Sequence, residues 1–180
     1  EARCAGDVVG RMLAFRGVVG VEGGFELLGR LGEVGILSTY GVREGLGALR
    51  VRALRVVSAA HRGDEFGGRL LKREGLVLRA LSGLSVCPKL MREGELEDGG
   101  GYLLTSFGTG LRLSHFRGEL CLSDVRRLLL GVGGALSRVH KRGVVHGSLD
   151  LSKVLVDGLG GVMIYGFEYG CREGDRCFSV

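Results

Sequence analysis

The sequence predicts an α+β fold: five strands with one helix among them, followed by a mainly helical stretch. Three observations carry this. Residues between Phe25 and Val57 alternate apolar and polar in short runs, the pattern of half-buried strands. Leu71, Glu74, Leu78 and Leu81 recur at i, i+3, i+7 and i+10, which places them on one helix face. A second, longer helical run begins after Ser123 and is stopped by Gly143.

In chain order, residues 1–24 are an Arg- and Val-rich lead-in with a short helix predicted around Val8–Phe15. Phe25–Leu31 and Tyr40–Arg43 are expected as two strands around a Gly-containing turn, and Leu49–Val57 as a third. Asp64–Leu81 is the first helix. Val86–Glu93 and Tyr102–Phe107 follow as strands, separated by the polar hairpin Gly94–Gly101. The long helix is expected over Asp124–Lys141, with Ser123 as N-cap, Asp124 in the first turn, and Arg138, Lys141 and Arg142 near its end. Lys153–Val156 and Val162–Ile164 flank a turn at Asp157–Gly161. There are no internal repeats.

A chain of 180 residues suits one domain of ordinary size. With 25% charged and 45% hydrophobic residues, its composition is that of a globular protein rather than a disordered one. No apolar run approaches the ~20 residues that span a bilayer, so no transmembrane segment is expected. The opening Glu1-Ala2-Arg3-Cys4 shows neither an initiator Met nor a signal-peptide pattern, as in a fragment or processed form. The net charge of +5 comes from dispersed Arg, not from a basic block interleaved with aromatics, so no nucleic-acid partner is expected. Five Cys (4, 87, 121, 171, 177) show no C-x-x-C pair and no metal-ligand spacing, and their odd number argues against a closed disulfide framework. Cys171 and Cys177 could bridge, but two unpaired loop thiols is the expected state. The redox compartment stays open.

The stretch Val144-Val145-His146-Gly147-Ser148-Leu149-Asp150-Leu151-Ser152-Lys153-Val154-Leu155-Val156-Asp157, followed by Val162-Met163-Ile164-Tyr165-Gly166-Phe167-Glu168, carries the functional signal. It resembles the catalytic loop and metal-binding segment of protein kinases, H-R-D-L-x-x-x-N and D-F-G. The base position holds Ser148, the metal-binding Asn position Lys153, and the metal-binding Asp position Gly166. The separations fit the family: Ser148 to Gly166 is eighteen residues and Lys153 to Gly166 thirteen. Phosphoryl transfer rests on positioning and on charge stabilisation by Mg²⁺, which needs oxygen ligands. Lys153 and Gly166 supply none, and Lys153 would repel a cation. Ser148 has no useful basicity at neutral pH. Asp150 stands where the family usually has Lys, and Gly147 replaces the Arg that would clasp a phosphorylated activation loop. His146 is expected to be structural, packing against the metal-binding segment as in the family.

Upstream, Gly32-Glu33-Val34-Gly35-Ile36-Leu37-Ser38-Thr39 is similar to the family's Gly-rich loop, with Val34 and Leu37 in place of its second and third Gly. A plain β-hairpin explains this stretch equally well. Arg52-Ala53-Leu54-Arg55 resembles V-A-I-K, with Arg55 at the Lys position and Glu74, nineteen residues on, at the Glu position. An Arg–Glu pair there either orders the lobe or keeps a residual nucleotide role, since Arg's planar fork does not replace a compact ammonium at a phosphate. Thr105-Ser106-Phe107-Gly108 falls at the gatekeeper and hinge.

The resemblance implies a protein kinase-like fold. Residues 25–109 would be a five-stranded antiparallel small lobe with one helix. Residues 110–180 would be a truncated, mainly helical large lobe ending in the activation segment, and 1–24 an N-terminal extension. It implies Gly32, Gly35, Arg55, Glu74, Ser106, Phe107 and Leu155 as nucleotide-binding positions. ATP without Mg is then the one candidate cofactor, with no metal site. Gly166-Phe167-Glu168 with Tyr169-Gly170-Cys171-Arg172-Glu173-Gly174, and His146-Gly147, looks most like the rhoptry kinase-family pseudokinases of apicomplexan parasites. That branch implies secretion from the rhoptry into the host cell and a protein partner: a kinase, or another host or parasite protein. The expected function is a pseudokinase, a binding or regulatory module without Mg-dependent phosphoryl transfer. The alternative is a divergent ATP-binding serine/threonine kinase in which Asp150 acts as base and Lys153 neutralises phosphate. A third is a decayed chain without a stable fold, with Leu128-Leu129-Leu130 partly uncovered.

Overall fold

The structure, a computed structural model, describes residues 25–44, 50–61, 63–96 and 99–175. The helix expected around Val8–Phe15 lies outside them. The chain divides into two compact units. One holds the described residues up to Lys72 together with Leu90–Phe107; the other holds Arg73–Lys89 and the described residues from Gly108 onward.

The first unit is built on a five-stranded antiparallel sheet. Its strands are β1 (Phe25–Val34), β2 (Leu37–Glu44), β3 (Val51–Val57), β4 (Leu90–Glu95) and β5 (Gly101–Ser106), in spatial order β1-β2-β3-β5-β4. Period-2 alternation sends Leu27, Tyr40, Val42, Leu54, Val56, Tyr102 and Leu104 to one side, where with Leu96 they form the core. Phe25 meets Tyr102 edge-on at 6.1 Å between ring centroids. The expected α+β class and its five strands and two helices are therefore present.

Helix α1 (Glu65–Ala80) starts where Asp64 Oδ1 accepts from Phe66 N at 2.8 Å, an N-cap in the usual sense. Its buried side chains, Leu70, Leu71, Glu74, Val77 and Leu78, with Leu81 just beyond its end, keep the 3.6-residue period read from the sequence. The boundary between the units falls inside this helix, after Lys72.

In the second unit, helix α2 (Leu122–His140) packs against two short sheets. One is three-stranded: β6 (Leu111–Arg112), β8 (Val154–Val156) and β9 (Val162–Ile164), in order β6-β8-β9. The other pairs β7 (Val144–Val145) with β10 (Cys171–Arg172). The turn at 157–161 is closed by Asp157 Oδ1, which accepts from Leu159 N at 2.9 Å and Gly161 N at 2.7 Å.

Three expectations need correction. The strand expected from Val86 begins only at Leu90. Pro88 has no N–H to give to a ladder, and Val86 is used elsewhere, its carbonyl accepting from Ile164 N at 2.8 Å. The long helix is capped at Cys121 rather than Ser123. Asp124 N and Val125 N both bond Cys121 O, which draws Leu122 and Ser123 into the first turn. Cys171 is disulfide-bonded, not a loop thiol; its partner lies outside the described residues.

Candidate functional site

Ser148, Lys153 and Gly166 converge in the second unit, where the chain passes from β7 through a 3-10 turn (Leu151–Lys153) into β8, and returns through β9. Asp150 sets that turn: its Oδ1 accepts from Ser152 N at 2.6 Å, and hydrogen bonding from the Ser152 side chain, helped by this backbone bond, holds its carboxyl below the usual carboxylate range. The turn directs Lys153 inward. Its Nζ donates to Ser148 Oγ at 2.5 Å and to Glu168 Oε1 at 2.9 Å. The Lys153 and Glu168 side chains are only 5% and 1% exposed. The Tyr169 ring centroid lies 5.9 Å from the ammonium.

Gly166 makes this possible. It sits at φ +81°, and a Cβ there would stand 3.2 Å from Lys153 Cδ and 3.3 Å from Glu168 Oε2. Any side chain would press on the ion pair and strain the backbone. Gly147, at φ +80°, is constrained more tightly still, because the Tyr169 backbone carbonyl occupies the space where its Cβ would project.

His146 is buried beside the pair. Nε2 donates to Tyr165 O at 3.0 Å and Nδ1 accepts from Ser148 N at 3.4 Å, an assignment that makes the ring neutral. Burial pushes its pKa below the usual histidine value. The ring packs against Phe167, centroids 4.5 Å apart with the planes tilted by 43°, and so lies on the 166–168 segment, as expected. Tyr165 OH bonds Ser152 O, and Arg73 Nε bonds Gly170 O at 2.5 Å. The loop is thus fastened at several points.

These residues do not fit a divalent cation. Gly166 offers no side chain, an ammonium occupies position 153, and the one carboxylate turned inward, Glu168, is engaged by it. Among the described residues no group of three His, Cys, Asp or Glu could hold a metal ion. Nor do they form a nucleophile and base, since Ser148 Oγ accepts from an ammonium instead of giving up its proton. Glu168 is the residue that sequence reasoning passed over. Its signal was present, because a cation and an anion had both entered positions of one degenerate motif.

The remaining candidates fall in both units. Gly32, Thr39, Arg55 and Leu103 are successive cross-strand partners over β1, β2, β3 and β5, so Gly32 and Arg55 share one line across the sheet. Gly35 lies in the tight turn joining β1 and β2, and the Gly-rich stretch is a plain hairpin with Val34 opposite Leu37. Ser106 ends β5 opposite Arg52, and Phe107 follows it, partly exposed. Arg55 is buried in the first unit and Glu74 in the second. Leu155, in β8, pairs with Met163 and lies against Gly108.

No protein-family model matches the chain, and no curated protein is similar to it at a significant level. No helix among the described residues is long and apolar enough to cross a membrane.

Proposed function

We propose that the chain is a pseudokinase: a kinase-like binding or regulatory module, of the rhoptry pseudokinase type, that does not carry out Mg-dependent phosphoryl transfer. One observation carries the reading. The Lys153 ammonium, at the position where a kinase has a metal ligand, is bonded to Ser148 at the base position and to Glu168 beside the second metal position. A positive charge built into the chain supports the loop where a catalytic kinase would need open oxygen ligands. Breaking such a buried pair is costly, so the arrangement favours a fixed scaffold over a metal site that opens and closes.

The reading with Asp150 as a replacement base is weaker. Its carboxylate caps the 151–153 turn, and hydrogen bonding from Ser152, its side chain first and its N–H second, lowers its affinity for a proton.

The test is a radiolabel transfer assay with γ-labelled ATP, Mg²⁺ and a generic protein substrate. The expected result is no incorporation above a heat-inactivated control. Mg-dependent incorporation that disappears in Arg55→Ala would overturn the proposal.

A further inference from the structure

A cavity of about 210 Å³ opens in the first unit, between the end of β3, the first turns of α1 and the turn that joins β4 to β5. No residue of the 146–168 loop lines it, so the inference drawn from it does not depend on that loop. Val56 and Leu96, both buried members of the sheet core, and the partly buried Val57 form its apolar lining. The one charged side chain that lines it is Asp64, and the rest of the wall is glycine. Gly68 has no local reason to be glycine. It lies inside α1, where glycine is a poor helix former, its φ is not positive, and a Cβ there would meet nothing within 4 Å. What glycine does at 68 is keep the wall of the cavity free of a side chain.

Volume and charge identify the occupant. Sites for cofactors and drug-sized ligands run to roughly 300–1,000 Å³, so this smaller cavity suits one side chain rather than a nucleotide. Asp64 Oδ1 accepts from Phe66 N, but no cationic side chain among the described residues pairs with this carboxylate. Arg69, on the same helix, is turned to Glu65 at 4.0 Å. An apolar stem that ends in a cation matches both features, its methylenes against Val56, Val57 and Leu96 and its head at Asp64. A guanidinium is more weakly hydrated than an ammonium, so it loses less on leaving water. We infer that this cavity receives an arginine side chain from a protein partner.

The test follows backbone amides of the isotope-labelled 180-residue chain by NMR at constant ionic strength. The probes are acetyl-arginine amide, butylguanidinium and its neutral counterpart, butylurea. Both cations should shift the Gly63, Gly68 and Gly99 amides saturably with millimolar Kd, and butylurea should bind at least about fivefold more weakly. Asp64→Asn keeps a side-chain oxygen for the N-cap and removes the charge, so it should bring both cations to the level of butylurea. Gly68→Leu should abolish binding of all three probes. It should melt at the same or a higher temperature, because leucine favours the helix and its Cβ meets nothing, which separates a filled cavity from a lost fold. Asp64→Asn decides the matter independently of that variant. The inference is overturned if butylguanidinium does not bind, if butylurea binds equally well, or if either folded variant binds butylguanidinium as the parent does. Binding of butylguanidinium but not of acetyl-arginine amide also overturns it, since the occupant would then be a free cation and not a protein side chain.

Discussion

Lys153 and Glu168 form a buried ion pair, Nζ to Oε1 2.9 Å, across fifteen residues of sequence. It joins the turn leading into β8 to the segment following β9. In a low-dielectric site, removing one partner leaves the other charge uncompensated. Lys153→Met or Glu168→Leu should therefore each destabilise the fold by about 3–5 kcal/mol, measured by urea denaturation. Replacing both, as in Lys153→Met with Glu168→Leu, should recover most of that loss. A double variant as unstable as the sum of the singles would show that the pair is not a unit.

His146 should make stability depend on pH. Burial lowers its folded pKa below the ordinary 6.5, so the unfolded chain takes up a proton before the folded chain does. Stability contributed by the neutral ring is complete above about pH 6.5 and falls as pH drops from there toward the depressed folded pKa. His146→Phe would keep an aromatic against Phe167 and flatten this slope. Thermal melts between pH 5 and 8 on both proteins, fitted for the difference, provide the check; identical slopes would contradict the assignment.

Gly147→Ala adds a methyl where the Tyr169 carbonyl already sits, at a φ that L-residues avoid. The expected cost is about 2 kcal/mol or more. Gly174→Ala, also at positive φ but with nothing within 4 Å of its Cβ, should cost less. Equal melting temperatures for the two variants would mean that the Tyr169 approach is not what fixes Gly147.

Much of the fold was legible because it rests on periodicity. The alternation in β1–β3 and the stripe of Leu71, Glu74, Leu78 and Leu81 are direct consequences of burying one face. What was not legible depended on contacts between residues distant in sequence. Val86 reads as strand from its neighbours, yet its carbonyl is claimed by Ile164 N. The strands at 111–112, 144–145 and 171–172 are too short to carry a period. In the candidate site, Ser148, Lys153 and Gly166 were found by their spacing. Glu168 was not assigned a role, because its partner is fifteen residues away and an ion pair leaves no periodic trace.

The cysteines should separate by reactivity. Cys87 is buried and its thiol is pushed up to about 12, whereas Cys121 is exposed at the start of α2. Iodoacetamide at pH 8 should label Cys121 in the native protein and reach Cys87 only after denaturation. Cys171 should resist labelling until a reductant is added. Peptide mapping by mass spectrometry gives the order; rapid native labelling of Cys87 would contradict the packing around it.

The most direct measurement is a thermal-shift titration with ATP, run once in Mg²⁺ and once in EDTA. A ligand at about 100 times its Kd stabilises the folded state by ~2.7 kcal/mol, which a melt resolves easily. With Lys153 bonded to Ser148 and Glu168 and no side chain at Gly166, the expected result is the same shift in both conditions, including no shift in either. A shift that appears only with Mg²⁺ would contradict the account.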